Sequence, residues 1–240
     1  MSRMFEVDGK RMTTWNCFIG CEFVCEYCAA RKLAEGRLRH LPQYREGFKP
    51  HLVKSQLGRK FKPGEFVFVP FMGDIRWAQR DDMDEIWLAM MNSPRANFLL
   101  MSKDPSCFEA WQRFWGYTFG SNIYLGTTLE TNRDELTTPI SKAPAPWSRA
   151  GQMMVLYHPR TVISVEPIMD FDPDILGSWI RRIQPEMVFV GADSGHNNLV
   201  EPSWDKVQEL LAMLRETVPA VIEKPGLGRL KGVSDGGKGQ

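Results

Sequence analysis

The chain has 240 residues, of which 43% are hydrophobic and 25% are charged, and its formal net charge is +1. Its 14 Phe and 8 Trp residues supply an ample core for one large α/β domain or two small ones. No apolar run approaches the roughly 18 residues that span a bilayer, and no segment has the pattern of a signal peptide. The odd number of cysteines, five, argues against a disulfide framework. We therefore expect a soluble protein of the reducing cytoplasm.

Positive charge is concentrated in the first quarter of the chain. Residues 1–62 contain 13 Lys and Arg against 6 Asp and Glu, whereas residues 63–240 contain 17 against 23. A basic segment of this kind attracts anions such as nucleotides or nucleic acids. The alternative is that residues 31–39 and 54–62 are solvated faces of helices. No RGG tract or nucleic-acid-binding motif supports the first interpretation, so the second is favoured.

The first predicted elements surround a loop that contains three cysteines. The apolar–polar run at residues 11–19 predicts a strand, and the composition of residues 29–41 predicts a helix. Between them lie Cys21, Cys25 and Cys28, in a Cys-x3-Cys-x2-Cys pattern. The three thiols are therefore predicted on a loop that leaves a strand, which is where α/β folds place their chemistry.

Three thiolates at this spacing suit a small number of metal centres. Thiolates are soft ligands that favour iron–sulfur clusters, zinc or cuprous copper. Three of them can ligate three irons of a cubane cluster and leave the fourth iron open to a small molecule. The alternative is a structural zinc site with Cys17 as the fourth ligand, although four ligands within twelve residues are crowded for a tetrahedron. In the cluster interpretation, Cys17 is a small packed residue of the first strand. The rival function is a non-catalytic interaction protein that holds zinc or an inert cluster.

The rest of the chain alternates between strands and helices. Apolar and β-branched runs predict strands at residues 65–71, 97–101, 122–128, 161–165, 187–190 and 220–222. Helical patterns are found at residues 81–92, 106–115, 173–183 and 203–216, with a further short helix within residues 48–61. The proline-rich residues 133–151 are predicted as an irregular crossover with a short helix near Trp147.

Strands that alternate with helices favour a parallel sheet with right-handed crossovers. A closed eight-stranded barrel typically needs about 250 residues, so a curved, open barrel suits this chain better. The predicted fold class is therefore α/β, an incomplete (β/α)6-type parallel barrel. Residues 1–230 are predicted to form a single domain, and the glycine-rich residues 231–240 a flexible tail.

The cysteine loop resembles that of the radical S-adenosylmethionine (SAM) superfamily, which also has an aromatic residue, here Tyr27, directly before the third cysteine. The resemblance implies an incomplete (β/α)6 barrel and a [4Fe–4S] cluster on Cys21, Cys25 and Cys28. In that superfamily the open iron binds the amino and carboxylate groups of SAM. Reductive cleavage of SAM then gives a 5′-deoxyadenosyl radical that abstracts hydrogen from a substrate. A flavodoxin or ferredoxin is implied as the electron donor.

Several predicted strand ends are similar to those of the phage Gp37/Gp68-like (DUF5131-type) family. The similar segments are Thr14-Trp15-Asn16, Met72-Gly73-Asp74, Ser102-Lys103 and residues 125–130, 164–167 and 190–195. Many members of that family have a longer gap between the first two cysteines, whereas this chain has the three-residue gap of the superfamily. The phage family and the basic first quarter together favour a nucleotide or nucleic acid as the substrate.

The superfamily resemblance also implies cofactor-binding roles at the strand ends, where barrel enzymes gather their working groups. The residues expected to bind SAM are Tyr27, Met72, Gly73, Asp74, Lys103, Glu130, Glu166 and Gly191. Residues 72–74 are expected at the SAM amino group, Lys103 at its carboxylate or an anionic substrate, the two glutamates at the ribose hydroxyls or the substrate, and Gly191 beside the adenine. The alternatives are a tight turn at residues 72–74 and a surface lysine at position 103.

Three residues are candidates for catalysis, namely Glu166, His196 and Cys107. Asp193, His196 and Lys224 are expected on the substrate side, although a histidine in a polar loop is more often simply solvated. Cys107 has the chemistry to return a hydrogen atom to a substrate radical, but a small packed thiol is the favoured interpretation.

Overall fold

The computed structural model describes residues 6–7 and 10–232, with side chains from Met12 onward. Its strands are β1 (Glu6–Val7), β2 (Lys10–Arg11), β3 (Thr13–Thr14), β4 (Phe18–Ile19), β5 (His51–Leu52), β6 (Phe66–Val69), β7 (Asn97–Met101), β8 (Ile123–Thr128), β9 (Thr161–Val165), β10 (Met187–Val190) and β11 (Ala220–Glu223). The α-helices are α1 (Ala29–Glu35), α2 (Arg80–Met91), α3 (Ser106–Ala110), α4 (Asp134–Thr137), α5 (Pro146–Val155), α6 (Pro173–Ile183) and α7 (Trp204–Thr217).

A seven-stranded parallel sheet organises the chain. Its strand order is β3, β6, β7, β8, β9, β10 and β11, which is also their order along the sequence. Each strand therefore pairs with the next one in the sheet, and helices fill most of the crossovers between them. Two antiparallel pairs, β1–β2 and β4–β5, lie outside this sheet.

The side chains of the strands alternate between two faces with different surroundings. One face packs against the helices in the main core, which includes Val67, Phe98 and Leu125. On the other face Phe68, Leu99, Tyr124, Val162 and Phe189 pack against one another. Side chains on one face of a sheet can pack against one another only when the sheet is curled. These residues therefore line the inside of a partial barrel. The predicted α/β incomplete parallel barrel is therefore confirmed.

Most of the predicted elements are found close to their predicted positions. β7, β9, β10 and α6 have the predicted bounds. β6, β8, β11, α2 and α7 differ from them by one or two residues at one or both ends. The strands among them, apart from β11, are buried along most of their length, as their continuous apolar runs predicted.

The predicted strand at residues 11–19 is wrong, because the structure divides it between β2, β3 and β4. Asn16 explains the last break, since its side-chain oxygen accepts the N–H groups of Phe71 and Met72, each at 3.0 Å. The chain leaves the sheet there, and β4 pairs with β5 instead.

The helix predicted at residues 29–41 is too long. It ends at Glu35, because Gly36 leaves the helical conformation with φ −99° and ψ −108° while its N–H still donates to the carbonyl of Lys32 at 3.1 Å. The short helix expected within residues 48–61 is a single 3-10 turn, Lys54–Gln56.

Two further predictions need correction. The helix predicted at 106–115 is α3 followed by a π-helix, Trp111–Trp115. In the crossover at 133–151, the short helix predicted near Trp147 is found as α5, but the preceding residues are less irregular than predicted because they contain α4. Pro146 begins α5, where its fixed φ and missing N–H are tolerated.

The predicted glycine-rich tail lies mostly outside the described residues. Residues 233–240 are not described, whereas Lys231 and Gly232 end a 3-10 helix, Leu227–Gly232. Within residues 6–7 and 10–232, no helix is long and apolar enough to cross a membrane.

Candidate functional site

A cavity of about 200 Å³ lies at the carboxyl ends of β6, β7, β8 and β9. Phe68, Phe71 and Met101 form much of its apolar wall, and the polar part of its wall includes Lys103 and Glu166. Parallel strands bring their ends to one edge of the sheet, which is why residues distant in sequence meet here.

Residues 72–74 connect this cavity to the start of the cysteine loop. The N–H of Gly20 donates to the carbonyl of Met72 at 3.0 Å, and the N–H of Asp74 donates to the carbonyl of Gly20 at 3.1 Å. A Cβ at Gly73 would lie 2.9 Å from both the nitrogen and the oxygen of Gly20. The glycine at position 73 is therefore needed for the close contact between the segment after β6 and the start of the cysteine loop.

Asp74 is buried and holds the adjoining strand ends together. Its carboxylate accepts the backbone N–H of Arg76 at 2.9 Å, the hydroxyl of Ser102 at 2.8 Å and the backbone N–H of Lys103 at 2.8 Å. Burial raises the pKa of Asp74, although these three donors oppose the shift. Ser102, to which the sequence analysis assigned no role in the site, thus belongs to the polar framework of the cavity.

Glu130 is the centre of a buried charge network. Its carboxylate accepts the hydroxyl of Tyr27 at 2.8 Å and the ammonium of Lys103, and it forms a 2.9 Å ion pair with Arg149. Burial alone would raise the pKa of Glu130, but Arg149 and Lys103 lower it well below its usual value. Glu130 is fully enclosed and does not line the cavity, whereas Lys103 does.

This network joins the cysteine loop to the barrel. Tyr27 belongs to the loop, Lys103 follows β7, Glu130 follows β8 and Arg149 lies on α5. The ammonium of Lys103 also lies 5.1 Å from the centre of the Tyr27 ring, as in a cation–π contact. The sequence predicted a short helix near Trp147 but gave Arg149 no role, because its partner Glu130 is distant in sequence. The early proline of α5 was the available signal for that helix.

The three loop thiols belong to one apolar cluster, and Cys17 lies outside it. Cys25 is buried and packs with Tyr27, while Cys21 and Cys28 are half-buried against the same cluster. Cys17 is enclosed in the main core instead, which agrees with its predicted packing role. Cys17 therefore packs in a different cluster from the three loop thiols.

The loop carries three thiols, and thiolates are the ligand type that iron–sulfur clusters use. All three thiols are free of disulfides. Cys21 accepts the backbone N–H of Phe23 and Cys28 that of Arg31, both at 3.4 Å, as metal-bound thiolates commonly do. Burial raises the pKa of the Cys21 and Cys28 thiols. Among the described residues, no group of three His, Cys, Asp or Glu side chains has the arrangement of a metal site.

A second ion pair lies beside the cavity. The ammonium of Lys224 donates to the carboxylate of Glu166 at 2.5 Å. Burial raises the pKa of Glu166 and lowers that of Lys224, although each partner opposes the shift of the other. A Cβ at Gly191 would lie 2.9 Å from the carboxyl carbon of Glu166. Gly191 therefore makes room for this carboxylate.

Three candidates lie away from the cavity wall. Asp193 is buried, and its carboxylate accepts the N–H of Gly195 at 3.0 Å within its own loop. His196 is exposed, with a left-handed backbone at φ 50°. Cys107 is buried in the main core on the helix side of the sheet, so its surroundings favour a packing role. Their proposed roles in catalysis or substrate binding remain predictions.

Comparisons with known proteins identify a family and a fold. A family model described as "Protein of unknown function (DUF5131)" matches residues 10–210. The fold is similar to that of SuiB from Streptococcus suis, solved bound to precursor peptide SuiA, with a TM-score of 0.53 and 12% sequence identity. The match covers 91% of this chain and 49% of the SuiB chain, so this chain spans about half the length of SuiB. No curated protein matches the sequence.

Proposed function

This chain belongs to the DUF5131 family, and we propose that it is a radical SAM enzyme that holds a [4Fe–4S] cluster on Cys21, Cys25 and Cys28. The observation that carries the proposal is the direct connection between the three-cysteine loop and the strand-end cavity. Gly20 pairs with Gly73 in the cavity wall. When bound, the cluster and SAM supply a 5′-deoxyadenosyl radical that abstracts a hydrogen atom from the substrate.

The residues around the cavity have distinct proposed roles. Lys103 lines the cavity and is the cation for the carboxylate of SAM or for an anionic substrate. Glu166 also lines the cavity and is the acceptor for a ribose or substrate hydroxyl. Glu130 is fully enclosed and already contacts Tyr27 and Lys103, so we assign it the positioning of these two residues rather than a contact with ribose.

We propose a nucleotide or nucleic acid as the substrate class. Residues 29–62, which follow the cysteine loop, contain 10 Lys and Arg against 2 Asp and Glu. Among these, Arg37, Arg39 and Arg45 are exposed. SuiB, whose fold is similar, is bound to a precursor peptide, so a peptide is the second class to test.

Anaerobic reconstitution with iron and sulfide tests the function. We expect about four irons per chain and, with dithionite and SAM, release of 5′-deoxyadenosine. Cys25→Ala should lose the bound iron and the release of 5′-deoxyadenosine, because a cluster ligand is missing. Cys17→Ala is the matched control and should retain both, since Cys17 packs in the main core.

The rival function, a non-catalytic protein with a structural zinc site, predicts a different result. Stoichiometric zinc that is lost in Cys17→Ala, with no nucleoside product from the wild type, would show a structural four-thiolate site instead. If the nucleoside is released, a peptide or nucleotide that accelerates its release identifies the substrate class of the enzyme.

A further inference from the structure

Two backbone hydrogen bonds hold residues 140–142 against the cysteine loop. The N–H of Glu26 donates to the carbonyl of Ile140 at 2.9 Å, and the N–H of Lys142 donates to the carbonyl of Phe23 at 2.7 Å. These bonds lie on both sides of the intervening residue, so they fix its position relative to the loop.

Ser141 is that intervening residue, and its hydroxyl meets a cysteine. Ser141 Oγ lies 3.0 Å from Cys25 Sγ. The N–H of Ala143 donates to the same oxygen at 3.1 Å, so the one hydroxyl proton of Ser141 remains available for another acceptor. A thiolate can only accept, and therefore Ser141 must be the donor once Cys25 binds a metal. Cys25 is 8% exposed, so little water competes for this bond.

The other two cysteines are supported differently. In the described part of the chain, the sulfur atoms of Cys21 and Cys28 accept hydrogen bonds from the backbone N–H groups of Phe23 and Arg31. Backbone donors of this kind are retained when the side chain of the donor residue is substituted. The contact to Cys25 comes from a side chain, so it can be removed by a single substitution without changing a ligand.

We propose that Ser141 is a positioning residue that donates a hydrogen bond to the Cys25 sulfur and thereby raises the reduction potential of the bound cluster. This inference rests on the proposed function. Hydrogen bonds to cluster sulfurs help to set the potential, because they stabilise the more negatively charged, reduced state. The segment that covers the cysteine loop thus takes part in its chemistry.

A redox titration of the reconstituted protein, followed by electron paramagnetic resonance, tests this role. Ser141→Ala should retain its iron, and its potential should become more negative, with an equilibrium constant for reduction about tenfold lower, or about 59 mV for one electron. Ser141→Thr keeps a hydroxyl and should retain the wild-type potential. Thr138→Ala is the matched control from the same segment, because the Thr138 hydroxyl donates to the carbonyl of Asp134 and not to sulfur.

The outcomes separate this inference from the proposed function. A wild-type protein that binds no iron overturns the proposed function and this inference together. A normal iron content with an unchanged potential in Ser141→Ala overturns the role of Ser141 alone. If Ser141→Ala folds poorly, the near-isosteric pair Ser141→Thr and Ser141→Val replaces it, and equal potentials in that pair overturn the inference.

Discussion

Glu130 carries its negative charge in an environment without solvent, and its neighbours make this charge stable. An isolated buried carboxylate would be costly, but Lys103 and Arg149 provide two positive charges and Tyr27 a hydroxyl donor. The position of Glu130 after a buried strand suggested a cavity-facing acceptor. The sequence could not reveal that a helix residue, Arg149, would enclose it.

Glu130→Gln should lower the free energy of unfolding by about 3–5 kcal/mol, because it leaves two cations without their buried counter-charge. Urea denaturation at pH 7 measures this change. Glu223→Gln is the control, since its ion pair with Arg215 is exposed and should contribute about 0–1 kcal/mol. Equal effects of the two substitutions would contradict a structural role for the network.

The effect of Glu130→Gln on the free energy of unfolding should depend on pH. The pKa of Glu130 is lower in the folded protein than in the unfolded chain, so its contribution is fully present above the unfolded value of about 4.3. It is lost as the pH falls from there through the folded pKa. We therefore expect the stability difference between wild type and Glu130→Gln to narrow below about pH 4. A difference that stays constant down to about pH 3 would show that the charge of Glu130 is not its cause.

At the scale of elements, the sequence was informative wherever one face of a segment is buried. Apolar runs located the strands of the barrel, and the order of those strands placed Lys103, Glu130 and Glu166 at one edge. The same apolar pattern does not show where a single side chain or a glycine interrupts a strand or a helix. The Asn16 side chain interrupts the first strand, and Gly36 ends α1 early. The contacts of Ser141 with the cysteine loop are long-range, so no local pattern could have predicted them.

A glycine substitution tests the close contact between the segment after β6 and the start of the cysteine loop. Gly73→Ala should lower the free energy of unfolding by about 1–3 kcal/mol, because its Cβ would lie 2.9 Å from the Gly20 backbone. Gly151→Ala is the control. It lies within α5 with no atom within 4 Å of the added Cβ, so it should raise the free energy by about 0.5–1 kcal/mol. Chemical denaturation measures the free energy of unfolding of both variants. An unchanged free energy in Gly73→Ala would show that the backbone there moves apart without cost.

At the scale of the whole molecule, charge is distributed unevenly along the chain. The exposed arginines after the cysteine loop belong to the basic residues 29–62, whereas the remaining chain from residue 63 is acidic overall. Residues 29–62 leave the cysteine loop through α1, so their positive charge lies on the same part of the chain as the proposed cluster ligands. An anion drawn to these residues would be brought towards the proposed reaction centre.

Binding of a labelled single-stranded oligonucleotide tests this steering. Affinity should fall with salt, with a log–log slope of about −0.7 for each phosphate neutralised. Arg37→Glu/Arg39→Glu should weaken binding and reduce the magnitude of that slope by about 1–2. Arg181→Glu/Arg182→Glu makes the same change in net charge on exposed residues of α6, which packs against α5 and α7. Because it lies outside residues 29–62, it should preserve the slope. Equal losses in both variants would show that net charge alone governs binding, and the basic residues after the cysteine loop would then have no specific part in recognising a nucleic acid.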